Sequence, residues 1–207
     1  MSRPGGAGPL ELPSRSHQDF LALLAEVDAV LAKSTQQGFA YTLYTVGGFV
    51  LGRGSGSRLT QDIDVATVIP APVAAAAAQV AARHTMNPAW LNDQVQEMIQ
   101  VSVPHERFNE AYRGRHLIVY GADDELMLAL KLMSGRARDI SDIVDLAQTT
   151  GRIAPDDLLA AWDDVYGDSA DAAPQRHFVE SVIREDVMPA LRRRRSRTAG
   201  RRLPGCA

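Results

Sequence analysis

The stretch YTLYTV, residues 41–46, is rich in β-branched and aromatic residues and runs straight into Gly47-Gly48; after thirteen intervening residues comes Asp62-Ile63-Asp64-Val65. No other feature constrains the fold as tightly. YTLYTV and DIDVATVI (62–69) both read as strands, and the glycine-rich stretch Gly47 to Gly56 between them reads as a special loop. Alternate side chains on a strand share a face, so Asp62 and Asp64 point together to one side while Ile63 and Val65 point into the core. Two adjacent carboxylates repel one another, and the ordinary remedy is a hard cation such as Mg²⁺, which takes a pair of carboxylates plus substrate phosphates. Two such ions roughly 3.5 to 4 Å apart clamp the attacking and leaving oxygens of a phosphoryl or nucleotidyl transfer. A diglycine directly after a strand lets backbone N–H groups approach an anion such as a triphosphate. The plainer alternatives are a solvated edge strand for the acids and a tight strand-to-helix turn for the glycines.

Around this centre the chain alternates. Ser16 caps a helix running to about Gln36, with Phe20, Leu21, Leu23, Leu24, Val27, Val30 and Leu31 at three-and-four spacing, and Gly38 ends it. Pro70 and Pro72 open an alanine-rich helix to about His84. Residues 90–100 suggest a short helix, followed by irregular chain through Arg113, and HLIVY (116–120) is a third strand. Helices are expected over 123–134, 140–149, 156–166 and 175–194. Trp90, Trp162 and Tyr166 sit among aliphatics and read as core. The pattern predicts an α+β fold, a small mixed sheet backed by helices with a C-terminal helical lobe. The expected organisation is a disordered tail over 1–15, a main domain over 16–150, a helical lobe over 151–191 and an arginine-rich tail over 192–207.

Composition narrows the classes. Hydrophobic residues make up 45% and charged residues 23%, as in a globular chain. No stretch approaches 18 consecutive apolar residues, and the first residues lack an apolar leader, which implies a cytoplasmic chain with no membrane partner. The net charge of −3 hides an asymmetry. Arg192, Arg193, Arg194, Arg195, Arg197, Arg201 and Arg202 fall in the last sixteen residues with no acid. Setting those seven aside leaves 15 basic against 25 acidic residues, a body near −10. Such a body is unsuited to coating nucleic acid, whereas the tail could touch phosphate, an anionic partner or the body itself; the plainer reading is a solvated, frayed terminus. Five scattered histidines and the lone Cys206 offer no zinc-ligand spacing. GRGSGS (52–57) lacks both the dinucleotide-binding glycine spacing and the Lys-Ser/Thr ending of a P-loop. No serine or cysteine nucleophile has an evident histidine partner.

The string VGGFVLGRGSGSRLTQDIDV resembles the signature of the DNA polymerase β-like nucleotidyltransferase superfamily, a hydrophobic-Gly-Gly/Ser element followed by Asp-hydrophobic-Asp/Glu-hydrophobic. The segment Leu130 to Ile143, with Lys131, Arg136, Arg138, Asp139 and Asp142, is similar to a block of the minimal and AbiEii-type bacterial nucleotidyltransferases, many of them toxin-antitoxin components. The resemblance implies Gly47 and Gly48 at the triphosphate, Asp62 and Asp64 on two Mg²⁺ ions, Lys131 on a phosphate, and Asp139 and Asp142 in a supporting polar network. Arg58, Thr60 and Arg136 become substrate-side contacts. Residue by residue, bland readings stand beside these: a snorkelling surface lysine for Lys131, helix capping for Asp139 and Asp142, and pairing with nearby acids for Arg136 and Arg138. The chain departs from the pattern in two places. HLIVY carries no third carboxylate, the nearest candidates being Glu97, Asp123 and Asp124, and Gly48 stands where many toxin members have serine.

The expected activity is Mg²⁺-dependent transfer of a nucleoside monophosphate from an NTP to a tRNA end, a protein or a small molecule, in a chain with a cognate antitoxin as partner. The alternatives are a catalytically inactive nucleotide- or partner-binding module on the same fold, and an aminoglycoside-type adenylyltransferase.

Overall fold

A computed structural model describes residues 14–55, 58–97, 99, 104–167 and 172–200. They form two compact units, Met1–Met98 with Phe108–Gly121, and Ile99–Arg107 with Ala122–Ala207. The helices that the sequence grouped with the sheet up to residue 150 cluster instead with those that follow. The fold is α+β with a five-stranded mixed sheet. Among the described residues, no helix is long and apolar enough to cross a membrane.

The first unit opens on α1 (His17–Leu31), started by a capping box: Ser16 Oγ accepts from the Asp19 N–H at 3.2 Å, and the Asp19 carboxylate accepts from the Ser16 N–H at 2.9 Å. Of the tail expected to be disordered, residues 1–13 lie outside the described chain. Arg15 is paired, exchanging two backbone bonds with Thr60 at 2.7 and 3.0 Å. The apolar stripe of α1 is buried through Phe20, Leu23, Leu24, Val27 and Leu31, each such side chain worth about 1.5–3 kcal/mol of burial. Then come β1 (Tyr41–Val46), α2 (Gly47–Ser55), β2 (Ile63–Val65), α3 (Ala71–Arg83), β3 (Leu91–Asn92), β4 (Phe108–Arg113) and β5 (Leu117–Ala122). The strand order is β3-β2-β1-β5-β4. β1 runs antiparallel to β2 and parallel to β5, and β2 runs parallel to β3. The short link from β4 to β5 allows only a hairpin.

Four expectations need correction here. The glycine stretch after β1 is helical from Gly47 to Ser55, because Phe49 and Val50 are buried at 0% and 2% exposure and their packing outweighs the poor helix propensity of glycine. The second strand keeps only Ile63–Val65 of the expected eight residues; beyond it Ala66 N–H still bonds Tyr44 O at 2.7 Å, but Ile69 N–H turns to the Asp93 carboxylate. Of the helix expected over residues 90–100, residues 98 and 100 lie outside the described chain, and the stretch up to Glu97 gives β3 and a 3₁₀ turn (Gln94–Glu97). The irregular stretch before Arg113 holds β4, whose alternation is weak because the strand buries little of itself.

One sheet face is the core face. Leu43, Thr45, Ile63, Val65, Leu117 and Val119 are fully buried on it, and α2 reaches it through Val50, 3.2 Å from where a Cβ on Gly121 would stand. Trp90 is core, as its sequence context predicts, with Nε1 donating to Ala77 O at 3.1 Å and its ring stacked on Phe20.

The second unit contains α4 (Asp124–Ser134), α5 (Ile140–Thr150), α6 (Pro155–Tyr166), α7 (Ala172–Val182), a π-helical turn (Ile183–Val187) and α8 (Met188–Gly200). Asp123 caps α4, accepting from Leu126 N–H at 2.6 Å, and Gly135 and Gly151 end α4 and α5 in the left-handed conformation. Trp162 and Tyr166 stack in the core of this unit at 5.5 Å. The arginines expected in a frayed tail stay helical as far as Gly200; residues 201–207, with Cys206, lie outside the described chain.

Candidate active site

α2 begins on the residue after the last of β1, so the chain must turn sharply at the diglycine. Gly47 does so at φ +75°, a region costly to any residue with a Cβ. β1 and β2 pair with Val46 opposite Asp64, which brings the Asp64 side chain up under the next residue. A Cβ on Gly47 would strike the Asp64 carboxylate. A Cβ on Gly48 would lie 2.6 Å from Thr60 Oγ1, and Thr60 Oγ1 donates to Asp62 Oδ1 at 3.3 Å. The diglycine and the acidic segment therefore interlock atom against atom. The absence of serine at position 48 has a local cause: Thr60 fills the space that a serine side chain would need.

Burial separates the two sides of this segment as strand alternation requires. Ile63 and Val65 are 0% exposed, whereas Asp62, just ahead of β2, and Asp64 are half-buried. The Asp64 carboxylate also lies beside the start of a nine-residue helix, where the backbone dipole favours negative charge. Arg58 is half-buried in the segment between α2 and β2.

Side by side with Asp64 on the second sheet face is a group that sequence reading missed. Tyr44 and Tyr120 are partners in the β1–β5 ladder and stack at 5.6 Å, and Phe108 meets Tyr44 edge-on at 5.0 Å. The only available signal was the tyrosine in the middle of each of two strands. β5 sets Tyr120 opposite Tyr44, and none of its residues from Leu117 to Ala122 is an acid. Of the alternatives for a third carboxylate, Asp123 is committed to its capping bond and to Arg107, 2.9 Å away, Asp124 opens α4, and the Glu97 side chain lies outside the described set.

His17 also escaped notice as functional scenery. Its Nδ1 lies 3.0 Å from Phe49 O and its ring stacks on Phe49 at 4.5 Å, joining α1 to α2. Burial, then the charge of nearby Arg53, hold this imidazole below its ordinary range, which keeps it neutral at pH 7.

In the second unit, α4 and α5 bring together Lys131, Ser134, Asp139 and Asp142. Lys131 Nζ pairs with Asp139 Oδ1 and lies 3.0 Å from Asp142 Oδ2, and Ser134 Oγ donates to Asp139 Oδ2 at 3.0 Å. Both acids are buried, at 6% and 5% exposure. Two bland readings fail here. Lys131 does not snorkel, and Asp139, although it stands at the N-cap of α5, makes no capping bond. Its carboxylate goes to the lysine because a buried acid needs a cation more than a helix start needs one acceptor. An ammonium already held by two carboxylates is not a spare charge for phosphate. Arg136 and Arg138 are exposed on the link between α4 and α5.

The chain matches no family model, no curated protein and no solved structure. Its chemistry is therefore argued from the site itself. Asp62 and Asp64 are hard oxygen donors on one side of a strand, half-open to solvent. That donor set fits Mg²⁺, which binds through one or two carboxylates and completes its shell with water and substrate phosphate. Among the described residues no group of three or more His, Cys, Asp or Glu assembles as a metal site.

Proposed function

We propose that this chain is a metal-dependent nucleotidyltransferase of the DNA polymerase β-like kind, transferring a nucleoside monophosphate from an NTP to an acceptor and releasing pyrophosphate. The observation that carries the reading is the contact of Asp64 with Gly47 and of Thr60, itself bonded to Asp62, with Gly48. Two sequence-distant halves of a phosphate-and-metal motif meet without an intervening side chain.

Asp62 and Asp64 would hold Mg²⁺, which supplies charge neutralisation at the phosphates and orientation of the reacting oxygens. Without a cation the two carboxylates repel a triphosphate, so binding as well as turnover requires the metal. The backbone at the start of α2 would meet the anion, and the missing side chains of Gly47 and Gly48 let Asp64 and Thr60 come up beside it. Thr60 orients the Asp62 carboxylate. In the transfer, an acceptor oxygen bonds to the α-phosphorus as the bond to pyrophosphate breaks, and the acceptor proton is released to water. Lys131, Asp139 and Asp142 form the polar network that fixes α4 to α5. Arg58 remains a substrate-side candidate in the first unit, and Arg136 belongs to the second. The chain would work in the cytoplasm on a tRNA, protein or small-molecule acceptor, within a toxin-antitoxin pair.

A second reading has one observation in its favour: a β5 without any carboxylate suits a module that binds nucleotide, or only a partner, and catalyses nothing. Incubation with α-labelled NTPs, Mg²⁺, and total RNA and protein separates the two. The enzyme transfers label to RNA, protein or, when a small-molecule extract is added, a small molecule, and releases pyrophosphate, and EDTA abolishes both; the module binds NTP in a calorimeter and releases none.

A further inference from the structure

α8 leaves the core at a defined point. Val187 and Leu191 are buried at 0% and 2% exposure, and every residue from Arg192 to Arg197 is exposed. Five of these six residues are arginine. At about 3.6 residues per turn they cover all sides of the helix, leaving no apolar stripe for a membrane surface or a partner groove. Arg194 pairs with Asp145 of α5. No acid among the described residues pairs with Arg192, Arg193, Arg195 or Arg197, and the nearby Glu185 is engaged by Arg184 at 3.0 Å. Adjacent like charges on a helix repel, and complementing the helix dipole at its C-terminus calls for one or two cations, not five.

We infer that this exposed arginine helix is a docking arm for a flexible single-stranded polynucleotide. Guanidinium forks match phosphodiester oxygens. A flexible strand can bend to follow Arg192, Arg193, Arg195 and Arg197 around the sides of the helix that Arg194 does not turn to Asp145, whereas a folded acidic protein or a rigid duplex meets only one side of it. The body near −10 acts in the same direction, repelling a long duplex laid along it while leaving the projecting arm accessible. The inference does not depend on the catalytic reading and is tested without NTP.

The test is fluorescence anisotropy of a labelled U₂₀ RNA with the full chain between 50 and 200 mM salt. Four phosphates neutralised on a single strand give a log–log slope near −2.8, an affinity loss of roughly 50-fold over that range. The variant R192Q/R193Q/R195Q/R197Q should lose most of the binding and most of the slope with an unchanged thermal midpoint. The corresponding Arg→Lys variant should keep the slope, which shows that charge at these positions and not a change in folding is being read. A dT₂₀ strand competing as well as the RNA also supports the arm. Unchanged binding in the Gln variant, a salt-independent affinity, or tighter capture of an RNA duplex, polyglutamate or phosphatidylserine vesicles overturns it. Pyrophosphate release failing while U₂₀ binding holds would remove the enzyme and leave the arm.

Discussion

At the scale of single residues, Gly47 differs from the left-handed glycines Gly38 and Gly151, and resembles Gly135, whose missing side chain leaves its place to Phe178. Gly47 combines φ +75° with a carboxylate in the place of its missing side chain, while Gly38 and Gly151 have positive φ and open space around them. Gly47→Ala should therefore cost roughly 2–4 kcal/mol in a denaturant titration, strain and overpacking together, against about 1 kcal/mol for Gly38→Ala or Gly151→Ala. Equal losses at all three would mean that the contact with Asp64 is slack. Tyr166 offers a pH-dependent check. Burial pushes its phenol up to about 12 from 10. The folded state thus keeps a proton that the unfolded state releases, and stability should fall as pH rises from 10 to 12, by roughly 2–3 kcal/mol at the top of that window. Tyr166→Phe should flatten that decline, though not abolish it, because burial also raises Tyr112. Identical pH curves for the two proteins would contradict this. The burial of Ile63 and Val65 beside half-exposed Asp62 and Asp64 was legible in the sequence, since alternation is local. That Thr60 excludes a side chain at Gly48 was not, because the contact is made by tertiary structure.

At the scale of elements, Lys131 of α4 ties that helix to the start of α5 through Asp139 and Asp142. Lys131→Met leaves two carboxylates buried with no cation and should destabilise by about 3–5 kcal/mol. Adding Asp139→Asn and Asp142→Asn to it should restore most of that loss. A lysine that served phosphate alone would give a near-neutral Met variant, and thermal unfolding of the single and triple variants decides. The elements themselves were unevenly legible. α1, α3 and β1 follow from periodicity, capping and β-branching, signals contained in adjacent residues. α2 was hidden by its glycines, since what makes it helical is the burial of Phe49 and Val50 against other elements. β4 was hidden for the opposite reason: an edge strand that buries little has no pattern to show.

For the molecule as a whole, charge is distributed by region. Acids outnumber bases over the body, one acidic pair lies against a backbone turn in the first unit, and the cations collect at the exposed end of α8. The α+β class, the sheet nucleus and the acid-glycine motif could be read from sequence because each rests on short-range spacing. The place where the chain divides could not be read, since it depends on which helices cluster with which in three dimensions. The most direct measurement is pyrophosphate release from each NTP with Mg²⁺ and a cell extract as the source of acceptors, by the wild-type chain and by Asp62→Asn and Asp64→Asn, with thermal midpoints recorded alongside and release by the extract alone subtracted. The account predicts Mg²⁺-dependent release by the wild type, at least 100-fold slower in either variant at an unchanged midpoint; variants that turn over NTP as fast as the wild type would contradict it.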